Sequence, residues 1–335
     1  MILISAAGSG GTNRIVEGVD KTLFVGVTND KHKLFCSVLE HNYLIPPASD
    51  ELAYIEAINR VAKKHNCTLF IPNSDAEVYT ATKHQNKLEV KTFLPTFEFV
   101  DICYDKLKLH QKMQHLSISS AKTFHIQKQS DIAEAFRALH TPPLWCRTRS
   151  GSGSRHTSKV YSVDDAQAFI NHTQKVTSLP LEEFLISEYL AGDDIAVVTL
   201  WSKGKMQACK MAKRTRYARG AGESPPIVIE SFYSKEVEQF VHDAIVKLTS
   251  NQNGVLNVDI KCYADSTLAI TEINPGRFYY NMTLFNYGKL NIFAAFLDLA
   301  QNKKVECFSD DPQMIFIREQ DNCPTLISRK EFETL

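Results

Sequence analysis

The stretch NVDIKCYADSTLAITEINPGR, residues 257 to 277, decides how the rest of this chain is read. Two runs with apolar residues at alternate positions flank ADST, residues 264 to 267, which predicts a β-hairpin. Taking ADST as its loop pairs Tyr263 with Leu268, Asp259 with Glu272 and Asn257 with Asn274. Side chains alternate along a strand, so Asp259, Glu272 and Asn274 share one face. Val258, Ile260, Cys262, Ala269, Thr271 and Ile273 form the opposite, mostly apolar face. Two carboxylates opposed at ~5 Å repel by roughly 3 kcal/mol at an effective dielectric of about 20, so the pair calls for a cation. Two acids and an amide, without Cys or His on that face, suit Mg2+ or Mn2+, ions commonly shared with substrate phosphates. The competing reading is a solvated strand face on which Lys261 neutralises one acid. Arg277, just past the Pro-Gly turn, is placed to hold a phosphate or acyl-phosphate oxygen, against the plainer reading of a surface salt bridge.

Upstream, residues 1 to 104 alternate between strand and helix. MILIS, TLFVGVT, YLIP and TLFIP read as short buried strands, and DELAYIEAINRVAKKHN has apolar residues at helical spacing behind an acidic start. That alternation predicts a parallel sheet covered by helices. Gly8-Ser9-Gly10-Gly11 turns the chain into a helix whose N-terminus suits an anion, and Asp30 follows the second strand, as in a dinucleotide fold. The glycines run GxGG instead of GxGxxG, so a structural turn or contact with another ligand is preferred. DKLKLHQKMQHLSI and DIAEAFRAL read as helices, PPLWCRTRSGSGSRHTSKVYS as two strands joined by a glycine-serine turn, and the remainder as mainly strands. KRTRYARGAGESPP, residues 213 to 226, reads as a basic loop.

Composition narrows the class. With 335 residues, 44% hydrophobic and 23% charged, the chain is an ordinary globular protein of two or three packed units. Its apolar runs fall short of the ~18 residues of a membrane span. MILISAAGSGG lacks a basic start and reads as a strand rather than a signal peptide, so a cytoplasmic location is expected. Eight scattered cysteines without a CxxC pair read as reduced thiols, neither metal ligands nor disulfides. The 38 basic and 38 acidic residues cancel, which gives no field for nucleic acid or an anionic membrane.

The turn RTRSGSGSR, residues 147 to 155, offers backbone N–H groups at Ser150, Gly151, Ser152 and Gly153 between Arg147, Arg149 and Arg155, which suits a triphosphate lid. It lacks GK[ST] and is no Walker loop. Alone, such a turn is more often an ordinary surface loop; beside a metal face the nucleotide reading takes precedence. Lys213, Arg214, Arg216 and Arg219 are read either as a solvated edge or as cations near a γ-phosphate or acidic substrate, with Arg214 the chosen candidate.

The order DK at 105, PLWCRTRSGSGSR, LISEYLAGDD, GAGES, NVDIK and EINPGR resembles the ATP-grasp superfamily, in the branch similar to the large chain of carbamoyl-phosphate synthetase. Residues 1–104 resemble the pre-ATP-grasp domain that precedes such folds. The resemblance implies a parallel-sheet α/β domain over 1–104, then an ATP-grasp fold of two α+β subdomains: a small lid over 105–185 and a large one with the metal site over 186–335. It implies that Asp259, Glu272 and Asn274 bind Mg2+ bridging ATP phosphates, and that Arg147 and Lys106 meet those phosphates. Glu188, Tyr189 and Leu190 fall where the hinge meets adenine. Asp194 matches the acid for the ribose hydroxyls, where members more often carry Glu. Arg277 matches the arginine that steadies an acyl phosphate.

The implied reaction is ATP-dependent joining of a small carboxylate to an amine or thiol, with small molecules as partners, no nucleic acid, no membrane and a homodimer left open. Carbamoyl-phosphate synthesis is less favoured, since a single ATP-grasp unit is present where that large chain has two. A nucleotide-binding sensor without turnover, and an oxidoreductase built on the first sheet, are the other readings.

Overall fold

The computed structural model describes residues 1–151, 156–218, 225–306, 308–311 and 313–318 of the 335. Ser152, Gly153, Arg155, Arg219, Gly220, Gly222, Glu223, Ser224, Cys307 and Cys323 lie outside the described residues. Among those described, the strands form three sheets.

The first is parallel throughout, in the order His41–Leu44, Phe24–Thr28, Ile2–Ile4, Leu69–Ile71, Lys91–Thr92. Helix Glu51–Lys64 lays Tyr54, Ile55, Ile58, Val61 and Ala62 into one core with Leu3, Val25 and Phe70. That is the apolar stripe its spacing predicts. The strand order reverses between Ile2–Ile4 and Leu69–Ile71, which opens a crevice at their carboxyl ends. The glycine turn follows the first of these strands. Gly8 has φ +78°, and a Cβ there would lie 1.8 Å from the Lys33 carbonyl oxygen. Gly8→Ala is expected to cost more than about 2 kcal/mol, from left-handed strain and that clash together. The check is the thermal midpoint, and no change in it would mean the turn is free to move aside.

Helices Phe97–Tyr104 and Lys106–His115 meet at Asp105, whose carboxylate caps the second by accepting from the Leu107 N–H at 2.9 Å. Their apolar residues Phe99, Cys103, Leu109 and Met113 share a core with Val197, Val258 and Ile260 of the largest sheet. Residues 106–115, expected within the lid, therefore pack on the large sheet. The second sheet is antiparallel, in the order Thr123–Ile126, Phe184–Glu188, Leu144–Thr148, Thr157–Val160. Helices Ser130–Leu139 and Val163–Thr177 back it through Ile132, Ala135, Ala166 and Ile170. Phe184–Glu188 lies inside this sheet, so a division at 185/186 would cut a strand; we propose the division after Glu188.

The third sheet runs Leu268–Pro275, Gly254–Cys262, Asp194–Ser202, Lys205–Tyr217, Pro226–Phe232, Ile315–Ile317, with Phe308–Ser309 beside Lys205–Tyr217. Its hairpin pairs Asp259 with Glu272 and Asn257 with Asn274, as expected. Nearer the turn the register slips by one, and Cys262, not Tyr263, faces Leu268. The cause is a β-bulge after Asp259 that leaves Thr271 as an extra residue. Thr271 thereby leaves the core face, and Ile270 takes the core position. The expected basic loop is also corrected: Lys213, Arg214 and Arg216 belong to strand Lys205–Tyr217 and pair with Glu230, Ile229 and Val228. Pairing with Asp194–Ser202 on one side and Pro226–Phe232 on the other carries the strand through the charged run. No helix among the described residues is long and apolar enough to cross a membrane. Cys103, Cys146, Cys209 and Cys262 are buried free thiols, and burial pushes Cys146 up to about 12.

Candidate active site

Four neighbouring strands of the large sheet bring charge of alternating sign to one face. Arg214 comes from Lys205–Tyr217, Asp194 from the next strand, Lys261 and Asp259 from the third, and Glu272 and Asn274 from the last. All six line a cleft of about 730 Å³. Its opposite wall is strand Leu144–Thr148, where alternation buries Leu144, Cys146 and Thr148 and turns Trp145 and Arg147 to the cleft. Glu188, Tyr189 and Leu190 close one end. Asn73, Ser74, Asp75 and Ala76 of the first domain close the other.

Arg214 is the electrostatic centre. Its Nη1 donates to Asp194 Oδ1 at 2.8 Å, and its Nη2 donates to Asp259 Oδ1, which also accepts from the Tyr279 hydroxyl. Burial alone would lower the Arg214 pKa, but Asp259 and Asp194 hold it well above its ordinary value. Burial likewise would raise Asp194, yet Arg214 and Lys261 keep it below the usual carboxylate range. Lys261 meets Asp194 Oδ2 at 3.2 Å, so it neutralises that acid and not the Asp259/Glu272 pair. The second oxygen of Asp194 also accepts from the Tyr217 hydroxyl.

The remaining candidates divide between the cleft and its flank. Lys106 is buried, donates from Nζ to the Gly151 carbonyl at 2.7 Å and reaches Glu272 Oε1 at 3.7 Å. Arg147 donates from Nη2 to the Thr271 carbonyl at 3.2 Å, while its Nε is buried without a hydrogen-bond partner among the described residues. Burial lowers the Arg147 pKa, only partly offset by Glu272 and Asp259. Arg149 leaves the cleft: its Nη2 donates to Asp105 Oδ2 at 2.5 Å, and with Ser150 it lines a separate cavity of about 420 Å³. The strand ends at Thr148, so the alternation that aims Arg147 at the cleft no longer governs Arg149. Gly151 stays at the cleft, and Ser152 and Gly153 lie outside the described residues. Glu188 accepts from the Tyr263 hydroxyl at 2.9 Å and from the Lys122 N–H at 3.0 Å, which fixes the hinge. Arg277 donates from Nε to Asp75 Oδ1 and from Nη2 to Asn274 Oδ1 at 2.8 Å.

A family profile described as an ATP-grasp domain matches residues 103–278, more than half of the chain. The chain belongs to the ATP-grasp family. Solved structures agree in fold. N5-carboxyaminoimidazole synthetase from Staphylococcus aureus, complexed with ADP, superposes with a TM-score of 0.72 at 12% identity, covering 94% of this chain and 79% of that one. A biotin carboxylase–ATP complex from Campylobacter jejuni gives 0.68 at 13% identity, over 94% and 73%. L-amino acid ligase from Bacillus licheniformis gives 0.67 at 14% identity, over 91% and 74%. No protein of curated function matches by sequence.

Within this ATP-grasp fold the donor set suits a hard divalent ion. Asp259 and Glu272 are directly opposed, Asn274 adds an amide oxygen on the same face, and among the described residues the one ion-pair approach to Glu272 is the long one from Lys106. No group of three His, Cys, Asp or Glu converges as a cage among the described residues. An ion held here would complete its shell with phosphate oxygens. The orphaned Nε of Arg147 is a donor that an anion would satisfy. Sequence reading missed Tyr217, Tyr279, Asn73 and Asp75. Ser74 marks a helix start at Asp75, its Oγ accepting from the Glu77 N–H at 3.4 Å, but that local signal says nothing of Arg277 as a partner.

The crevice of the first sheet is filled by the chain itself. The Phe278 N–H donates to Asn73 Oδ1 at 2.9 Å, and a Cβ on Gly11 would lie 3.4 Å from Tyr280 Cα. The glycine turn thus packs against the ATP-grasp domain at Gly11.

Proposed function

We propose that this chain is an ATP-dependent ligase that activates a carboxylate as an acyl phosphate and passes the acyl group to an amine. The observation that carries the reading is the opposed Asp259/Glu272 pair with Asn274, lining one cleft with Arg147 in an ATP-grasp fold. Several fold relatives named for carboxylation were solved with ATP or ADP, and another fold relative is an L-amino acid ligase. Asp259, Glu272 and Asn274 would hold Mg2+ or Mn2+, which supplies neutralisation of phosphate charge.

The chain's own groups do the rest. The main chain at Glu188–Leu190 receives adenine beside Trp145 and Tyr189, whose ring centroids are 6.3 Å apart. Lys106 and Arg147 meet the phosphates, and Arg277 waits where the γ-phosphoryl group is received. Both oxygens of Asp194 are engaged, so its part is read as fixing Arg214 and not as receiving ribose hydroxyls. Phosphoryl transfer through such a site needs positioning and charge neutralisation, without a protein nucleophile. The small-molecule partners are the carboxylate and the amine. Buried free thiols favour a reducing, cytoplasmic setting.

The test is ADP release from Mg-ATP over a matrix of carboxylic acids and amines, amino acids included, with hydroxylamine added to trap an acyl phosphate. The expected result is ADP release that needs both a carboxylate and the metal, together with hydroxamate. A protein that binds no adenine nucleotide would falsify the reading. Tight Mg-ATP binding with no release against any carboxylate would favour the sensor instead.

A further inference from the structure

We infer that Asp75, with Asn73 beside it, is a positioning residue for the phosphoryl-transfer site, acting from the first domain on Arg277. The inference rests on the ligase reading, because it concerns the arginine that meets the transferred phosphoryl group.

The strand that carries Glu272 and Asn274 is the last in its sheet. Its inner side has the ladder to Gly254–Cys262, whereas its outer side has, among the described residues, one backbone bridge, Ser120 to Ile270, two residues before Glu272. An edge strand leaves one row of its backbone N–H and C=O groups without a ladder to fix its register. Ligands on such a strand need a hold from elsewhere, since misplacement by ~1 Å costs about 10²-fold in rate.

The first domain provides that hold at the residues just after the strand. Gly276 has φ +79°, and a Cβ there would come within 2.8 Å of Val78 Cγ1 and 3.1 Å of Leu94 Cδ2. Asn73 accepts from the Phe278 N–H at 2.9 Å, while its own Nδ2 donates to Thr12 Oγ1 at 2.9 Å and its backbone N–H to Ser5 Oγ at 2.9 Å. Asn73 is thus fixed by the sheet beneath it before it touches the turn. Asp75 then takes Arg277 by Nε, and the same guanidinium donates through Nη2 to Asn274 Oδ1. One side chain therefore links a carboxylate of the first domain to an oxygen of the metal-binding set. With Nε and Nη2 fixed in one plane, the direction of Nη1 is fixed as well. Pulling Asp75 away would release both the aim of Arg277 and the hydrogen bond that sets Asn274.

A mere scaffold contact would affect folding, or all nucleotides alike. A positioning role predicts selective loss at the γ-phosphate end. The experiment measures binding of Mg-ADP and of the non-hydrolysable Mg-AMPPNP by calorimetry to the full chain, its Asp75→Asn, Asp75→Ala and Arg277→Ala forms, and the Asp75→Ala/Arg277→Ala double form. Asp75→Ala is expected to weaken Mg-AMPPNP by about 10-fold, the lower end for a residue that orients another, with Mg-ADP within about twofold. Asp75→Asn keeps an acceptor but loses the charge and is expected to lose about threefold. The double form is expected to bind no more weakly than Arg277→Ala alone, because both changes remove one device. Equal weakening of both nucleotides, or losses that add in full, would overturn the inference while leaving the ligase reading in place. If Asp75→Ala does not fold, the same selectivity is read from Asp75→Asn. A wild-type protein that binds neither nucleotide overturns the ligase reading and this inference with it.

Discussion

Glu272→Gln is expected to lower ADP formation by roughly 10²- to 10³-fold, the scale set by removing one electrostatic group from a transition state, with little change in thermal midpoint. The substitution keeps size and hydrogen-bonding capacity and removes only the charge. In the folded chain that charge faces Asp259 in the ladder, Lys106 approaches no closer than 3.7 Å, and Arg147 and Arg277 attract it without an ion-pair contact among the described residues. Deleting it relieves repulsion from Asp259 and gives up attraction to Arg147 and Arg277, two effects of opposite sign, so the fold should hold. The loss appears only when a divalent ion must be held against the phosphates, where a neutral amide is a weak ligand. The Mg2+ concentration for half-maximal activity should therefore rise together with the fall in maximal rate. Measuring ADP release against Mg2+ for both proteins decides it. An unchanged rate at every Mg2+ concentration would remove Glu272 from the site and take the metal assignment with it.

The hairpin was legible because two local rules agree on it. Alternation assigns faces, and a short polar loop fixes which residues oppose each other, so Asp259 and Glu272 could be paired before any coordinates. The same counting failed from the next pair toward the loop. A bulge costs little and leaves no composition signal, and Thr271 is as acceptable on a core face as off it. The basic run was misread for a related reason. Lys213, Arg214 and Arg216 have the polarity of a loop, yet Arg214 is buried by acids contributed by two other strands, which no local window contains. Arg147 and Arg149 show the limit of periodicity itself: it predicts direction only while the strand lasts. Asp75 lay furthest beyond reach, because its partner is 202 positions away and belongs to another domain. The parallel first sheet, by contrast, followed from nearest-neighbour patterning of strands and helices, and that information is local.

Arg214→Met is expected to destabilise the fold by about 3 kcal/mol, the usual cost of breaking a buried ion pair from one side. That corresponds to a fall in thermal midpoint on the order of 10 °C for a unit of this size. The Arg214 side chain is 15% exposed, Asp194 10% and Asp259 19%, so water cannot replace the lost counter-charge well. Methionine fills much of the space of the arginine stem and isolates the electrostatic effect from packing. In the natural chain Asp194 is held below the usual carboxylate range, so its contribution is complete near neutrality and is lost only as pH falls through the depressed value. Without Arg214, burial raises that carboxyl instead, and the variant is relieved as the group takes up a proton. The stability gap between the two proteins should accordingly be widest near pH 7 and narrow toward pH 5. Asp259 loses the same partner, so millimolar Mg2+ should raise the midpoint of Arg214→Met more than that of the natural protein, the ion standing in for the guanidinium. A midpoint within about 2 °C of the natural protein's at pH 7, well under the roughly 10 °C expected, would show that Lys261, Tyr217 and Tyr279 suffice to hold the two acids. A gap that widens on acidification would place the origin of the destabilisation in packing. Either result would move Arg214 from the electrostatic centre of the site to its periphery.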